Sequence, residues 1–197
     1  MQKQKTQIMA EGAIMLALAT ILSFIRVFKL PWGGSITLLS MLPITLFSIK
    51  RGLKAGFIVS FAFSLIQFFQ VINDGIFVWG LTPVMLIACI LLDYLLAYSI
   101  LGIAGIFRKK GFPGQIAGIA LSIFLRFIMH FLSGIIIWKS VDTLWGNYTP
   151  DTFYLYSLLY NGAYMLPELI FTMIGAVILL KVPQTQKLLL ESNNENN

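Results

Sequence analysis

Long apolar runs separated by short polar breaks dominate the chain. A helix needs about 20 apolar residues to cross a bilayer, and shorter crossings occur. By that measure six runs stand out, at about residues 8–27, 37–49, 55–72, 77–107, 112–138 and 155–181. The second is short, and the fourth has an alternative start near Pro83. The gaps carry turn chemistry: KLPWGGS, NDG, KKGFPG and WGNYTPD. The pattern predicts an all-α polytopic membrane protein, one membrane domain over residues 1–197 with six transmembrane helices. Residues 188–197 close with the polar string ESNNENN and are expected to be disordered. The first run has a basic start and an Ala17-Leu18-Ala19 triplet, features of a signal peptide. The triplet lies inside the run rather than after it, so a retained helix is expected.

Composition agrees with this pattern. Of 197 residues, 58% are hydrophobic and 11% charged, where a soluble domain carries roughly 25% charged. Mean hydropathy is +0.85. The single cysteine, Cys89, excludes an intramolecular disulfide and reads as a small buried apolar residue. The formal charge of +6 does not point to nucleic acid, because the basic residues sit in short loops between apolar runs.

Those loops set an orientation. Lys3, Lys5, Lys50, Arg51, Lys54, Arg108, Lys109, Lys110, Lys181 and Lys187 fall on one side; Arg26, Lys29 and Lys139 fall on the other. The positive-inside rule then predicts that both termini are cytoplasmic. The opposite face carries Trp32, Trp79, Trp145, Tyr148 and Tyr154. These residues suit either an interfacial aromatic belt or a lid over a pocket.

Four ionisable residues remain inside the runs: Asp93, Arg126, His130 and Glu168. A charge at the centre of a transmembrane helix costs about 2.5–3.5 kcal/mol on insertion scales, so each asks for a function or a buried partner. Arg126 could lock helices together by pairing with Asp93 or Glu168. Arg126, His130, Gly134 and Trp138 are spaced by four and form one stripe, with Ser133 beside it. Gly134 leaves a gap in that stripe, for a flat ring or for a neighbouring helix. On the last run Asn161, Tyr164 and Glu168 share a face, and on the fourth Asp93 and Tyr94 are adjacent. Polar groups converging from several helices into an aromatic-lined cavity make a small-molecule site. A carboxylate among aromatic faces suits a desolvated cation, and Asn161 suits a heteroaromatic edge. The ligand expected on these grounds is small, flat, cationic and hydrogen-bonding.

Enzyme signatures are missing. The chain has no H-E-x-x-H, no G-x-S-x-G and no Walker motif, and one histidine is a poor basis for a metal centre. No cofactor is expected. Six runs without clear internal repeats also fit poorly with a self-sufficient secondary transporter.

The string RFIMHFLSGIIIW, followed by YSLLYNG and preceded by LDY and LGIAGIFRKK, resembles the thiamine-specific S-component of energy-coupling factor (ECF) transporters. The resemblance covers nearly the whole chain, and the H-F-x-x-G-I-I-x-W block is its most specific part. It implies a six-helix protein of the bacterial plasma membrane that captures thiamine outside the cell. The implied partner is an energising module of one membrane T-component and two ATPases. It further implies a pocket built from Asp93, Tyr94, His130, Gly134, Trp138, Tyr156 and Asn161, with Trp32 from the first outer loop. Two positions depart from the family pattern: Asp93 stands where relatives have glutamate, and Pro83 where an aromatic is expected. Glu168 lies outside that pattern. Arg126, about 6 Å deeper than His130 along the helix axis, is expected to pair below the pocket. Ala13 and Ala17 form a small-xxx-small face on the first run, like the surface by which this family docks on its module. An S-component for another vitamin such as riboflavin, or a small membrane enzyme, remains an alternative, because shared architecture does not fix the ligand.

Overall fold

The computed structural model describes residues 2–30 and 34–187; Trp32 and the 188–197 tail lie outside them. Six helical rods account for most of the chain. These are α1 (Gln2–Phe24), α2 (Leu42–Arg51), α3 (Leu53–Asn73), α4 (residues 83–110), α5 (residues 111–138) and α6 (Phe153–Lys181). Among the described residues, four stretches are apolar and long enough to cross a membrane: α1, α3, α6, and the run Pro83–Trp138 that holds both α4 and α5. That run is divided where Phe107 leaves helical geometry (φ −105°, ψ 19°) and Gly111 adopts φ +67°.

The first departure from the expected pattern follows α1. Helix stops at Phe24, and Arg26–Lys29 pairs antiparallel with Ser35–Thr37 as a small hairpin, β1–β2. The apolar run reads on to Val27, but short apolar stretches do not distinguish helix from strand. The fourth run begins at the later of its two expected starts. Ile76–Val78 forms a separate 3₁₀ turn, and α4 opens at Pro83, where Thr82 Oγ1 accepts from Met85 N. Proline suits the first helical position because the N–H it lacks has no intrahelical partner there. Thr152 caps α6 in the same way, accepting from Leu155 N at 3.2 Å.

The short helix α2 lies at the centre. Ten residues give about 15 Å of helix, half the hydrocarbon thickness. Leu42, Pro43, Ile44, Thr45, Phe47, Ser48, Ile49 and Arg51 are all buried against surrounding rods. Ser48 shows how such close packing is reached. Its hydroxyl donates to the Gly102 carbonyl at 2.5 Å and accepts from Gly105 N at 3.1 Å. A Cβ on Gly56, Gly102 or Gly105 would strike Ser48 or the backbone of α3. Small residues let membrane helices approach where lipid offers no hydrophobic drive for association.

The two ends of the bundle differ in charge. At one end Glu11 receives Lys50 Nζ at 3.0 Å and Arg51 Nη2 at 2.6 Å, and Arg108 Nη1 donates to the Lys50 carbonyl. At the other, Asp74 receives Arg26 at 2.9 Å and Lys29 at 2.8 Å. The first end gathers residues from the lysine- and arginine-rich side of the sequence, and the second gathers the sparse side.

Candidate functional site

Asp93 lies on α4 within a π-helical stretch, Ile90–Leu96. Single π turns inside α-helices recur at functional sites. Its side chain is 14% exposed and is ringed by donors from α4 and α5. His130 Nδ1 lies 3.0 Å from Oδ1. Ser133 Oγ donates to Oδ2, as do Trp138 Nε1 at 3.4 Å and Cys89 Sγ at 3.4 Å. Asp93 therefore fixes the His130 tautomer, with the proton on Nδ1 and Nε2 left as an acceptor. His130 Nε2 is buried and has no hydrogen-bond partner among the described residues. Oδ1 has one partner and Oδ2 three, so the acceptor capacity still free is concentrated on Oδ1.

Around this carboxylate lies a cavity of about 100 Å³, lined by groups from three helices, the hairpin and the loop residues Trp79 and Ser140. Asp93, Tyr94, His130, Gly134, Trp138, Tyr156 and Asn161 all line it, so the bundle brings seven of the expected residues together. The walls are aromatic. Trp79 and Trp138 meet with ring centres 5.8 Å apart, and Tyr156 stacks on Tyr160 at 5.9 Å. His130 meets Tyr98 and Tyr164 edge-on, at 6.4 and 5.8 Å.

Several residues take roles other than those expected. Ser133 is fully buried behind Asp93 and does not line the cavity; it holds the carboxylate in place. Gly134 borders the cavity, but its gap is filled by α6: a Cβ there would collide with Ser157. Close helix approach, rather than room for a ring, explains the glycine. Asn161 is largely engaged within the protein. Its amide donates to Ser157 O and Oγ and to His130 O, and its carbonyl accepts from Tyr164 OH at 2.8 Å. One lone pair of Oδ1 remains.

Arg126 corrects the expectation of an acid or carbonyl partner below the pocket. It is 5% exposed and lines the cavity itself. Its guanidinium lies 4.0 Å over the Tyr98 ring and donates Nη1 to Met41 Sδ at 2.8 Å, a weak acceptor. Its Nε has no hydrogen-bond partner, and no ion pair joins it to Asp93 or Glu168 among the described residues. The cavity thus has an anionic wall and a cationic one.

Trp79, Tyr98, Ser157, Tyr160 and the hairpin residues Gly34 and Ser35 also line the cavity. Trp79 carried a signal as an outer aromatic. Tyr160 was missed, although its place one helical turn before Tyr164 is a signal that could have found it. Gly34 and Ser35 belong to the turn string KLPWGGS, which marks a break between runs but no place at the cavity. Trp145, Tyr148 and Tyr154, the other outer aromatics, are exposed and lie away from the cavity. Among the described residues no group of three or more His, Cys, Asp or Glu could hold a metal. On the far side of the bundle, Ala13 and Ala17 are exposed on α1, whereas Gly12, Ala19 and Ser23 form its buried face.

Comparison with known proteins places this geometry in context. Residues 9–188 match the family described as thiamine transporter protein (Thia_YuaJ). The thiamine transporter ThiT of Bacillus subtilis (strain 168) is 31% identical over 199 residues, covering 93% of each chain. ThiT of Lacticaseibacillus paracasei is 25% identical over 201 residues, covering 92% of this chain and 90% of its own. The solved structure of ThiT from Listeria monocytogenes superposes with a TM-score of 0.69 at 26% identity, covering 94% of this chain and 98% of that one. Sequence and fold agree over almost the full length, and the chain belongs to the thiamine transporter family: a multi-pass transport protein of the bacterial cell membrane, not an enzyme.

Proposed function

We propose that the cavity binds thiamine from the extracellular side and hands it to an ECF energising module for ATP-driven uptake. The observation that carries this reading is the single carboxylate, Asp93, set in an aromatic-walled cavity between membrane helices. Thiamine joins a cationic thiazolium to a neutral aminopyrimidine. The thiazolium fits against Asp93 between aromatic faces, by ion pairing and cation–π attraction. Arg126 repels that ring and favours a neutral acceptor, so the pyrimidine belongs on its side, within reach of Asn161. The two charged walls thereby give the ligand a direction. Trp32 belongs to the same reading as a further outer contact.

The membrane orientation is part of the proposal. Both termini face the cytoplasm, and the cavity opens on the side of Asp74, Arg26 and Lys29. ATP-driven uptake then calls for an ATP-using partner, since the chain has no Walker motif. Ala13 and Ala17 supply a smooth outward face for that partner, a membrane T-component carrying two ATPases.

A ligand panel on purified protein tests the ligand. Trp79 and Trp138 line the cavity, so bound ligand alters tryptophan emission. Saturable quenching by thiamine, with none by riboflavin or biotin, is expected. Binding of another vitamin in place of thiamine, or of none, overturns the reading.

A further inference from the structure

Helix α6 turns Tyr156, Asn161 and Tyr164 toward the cavity. Its other side has no part in the ligand reading. There Leu158, Gly162, Leu166 and Leu169, spaced by four, four and three, form one stripe. That stripe is the floor of a groove of about 500 Å³. Phe124 and Phe127 of α5 make one wall, with ring centres 6.3 Å apart. Trp145, from the turn Trp145–Asn147 that precedes α6, lines the groove as well.

Chemistry limits what can fill this groove. Among the described residues that line it, the Trp145 indole is the one side chain with a nitrogen or oxygen atom. Water settles only where polar partners hold it, so the groove does not hydrate. Left empty, its walls would forfeit their dispersion contacts. Hydrocarbon is the remaining filler, and the bilayer supplies it.

Gly162 is an independent sign. Glycine weakens a helix interior, and its usual use in a membrane helix is to admit a neighbouring helix. Gly134 works that way, closing on Ser157. A Cβ on Gly162 would meet nothing within 4 Å. Gly162 therefore admits no part of the bundle, and the space it leaves belongs to the groove.

Dimensions separate an acyl chain from a partner helix. From Leu158 to Leu169 the groove follows α6 for about 16 Å, roughly half the hydrocarbon thickness of a bilayer. Volume over length gives a mean section of about 30 Å², whereas a helix 10 Å wide needs about 80 Å². A transmembrane helix would also run the full thickness, while this groove spans one leaflet. Trp145 marks the interfacial end, since tryptophan favours the level of the lipid headgroups. We propose that the groove binds one acyl chain of a phospholipid, with its headgroup level with Trp145; in the orientation proposed above this is a lipid of the outer leaflet. The chain packs on the back of the α6 wall and never enters the cavity, so the site is independent of the thiamine reading.

Photolabelling of the full chain tests this. The label is a phosphatidylcholine with a diazirine in the middle of one acyl chain, and peptide mass spectrometry maps its adducts. Val84 and Ile87, exposed near the start of α4, report lipid that merely surrounds the protein. Gly162→Phe fills the groove from a position where a side chain has room. In vesicles of phosphatidylcholine and phosphatidylglycerol, adducts at Phe124, Phe127 and Leu158 should fall about tenfold in Gly162→Phe, because the filled groove leaves the chain no contacts, while those at Val84 and Ile87 hold. Titrated into delipidated wild type in detergent, the label should saturate the groove at one lipid per chain. An unchanged adduct pattern in folded Gly162→Phe overturns the proposal. So does groove labelling that rises without saturation in step with Val84 and Ile87, which would make the lipid there part of the general bath. Groove adducts far scarcer than those at Val84 and Ile87 in wild type also overturn it, since another protein segment would then cover the groove. Thermal unfolding reports whether each variant folds. If Gly162→Phe does not, Leu158→Trp, at the exposed end of the groove, decides by the same criteria.

Discussion

Replacing Asp93 by asparagine removes one charge and almost no volume. Opposite unit charges about 4 Å apart in partly screened surroundings attract by about 4 kcal/mol. The Asp93 side chain is 14% exposed and its four donors are fixed by α4 and α5, so water cannot take over its role easily. Asparagine keeps one carbonyl for His130 but turns an NH₂ toward the donors on Oδ2. Ser133 can rotate and accept from that NH₂, whereas the indole N–H of Trp138 cannot. Breaking one side of a buried charge pair costs about 3–5 kcal/mol, and the remaining dipole offsets some of it. A loss of about 3 kcal/mol, near 150-fold in Kd, is expected. Titration of purified Asp93→Asn with thiamine, followed by tryptophan fluorescence or calorimetry, measures it. A neutral isostere of the ligand, with carbon in place of the charged thiazolium nitrogen, completes a double-mutant cycle. Wild type should prefer the cation strongly, and Asp93→Asn should prefer it hardly at all. Asp93→Glu restores the charge with one more methylene and should be milder. A folded Asp93→Asn that binds thiamine within threefold of wild type refutes the assignment and makes Asp93 a structural residue.

Three further outcomes follow from particular contacts. Ala13→Trp with Ala17→Trp places indoles on an exposed face, so thiamine binding by the isolated protein should survive while ATP-driven uptake and co-purification with the module are lost; loss of binding or of folding would put the docking surface elsewhere. Gly134→Ala drives a methyl group into Ser157 and should cost about 1–3 kcal/mol of stability, with partial recovery in Gly134→Ala/Ser157→Gly; thermal unfolding checks the pair, and an unshifted Tm for the single variant contradicts the packing argument. Burial raises the Asp74 pKa, but hydrogen bonds from Lys29 and Arg26 and their charges outweigh it and hold the group below its ordinary 3.8. The folded value is the depressed one, so the contribution of the Asp74 ion pairs is full above that ordinary value and is lost only as pH falls through the folded pKa. Hydrogen exchange of β1, corrected for the intrinsic pH effect, should therefore be flat from pH 7 to pH 5; a loss of protection within that window would show that another group anchors β1.

Much of the site could be read from the chain because lipid makes polarity conspicuous. Asp93, His130 and Arg126 stand out in apolar runs, and helical spacing ties His130 to Trp138. Their destinations were harder to read. The same stripe that carries His130 carries Arg126, but whether it faces an acid or the cavity depends on which rods surround it. Ser133 looks like a ligand contact from its neighbours and becomes a support for Asp93 only when α4 is set beside α5. Gly34 and Ser35 read only as turn residues, because nothing local shows that their segment pairs as a hairpin and comes to the cavity. Glu168 was marked by its charge, yet its partner is Thr37, 131 residues earlier, a separation that no local pattern spans.

The π-helical stretches on either side of the cavity have a consequence for comparing this chain with its relatives. In Gly134–Trp138 the bond from Lys139 N reaches back five residues to Gly134 O, so the turn holds one residue more than an α turn. It is the last turn of α5, which ends at Trp138, so it sets where Trp138 stands relative to His130. A relative with an ordinary α turn here would need one residue fewer to bring its tryptophan to the same place. The same holds at Ile90–Leu96, around Asp93. Gaps placed by the pitch of each turn, instead of by residue identity alone, would line up the groups that share the cavity.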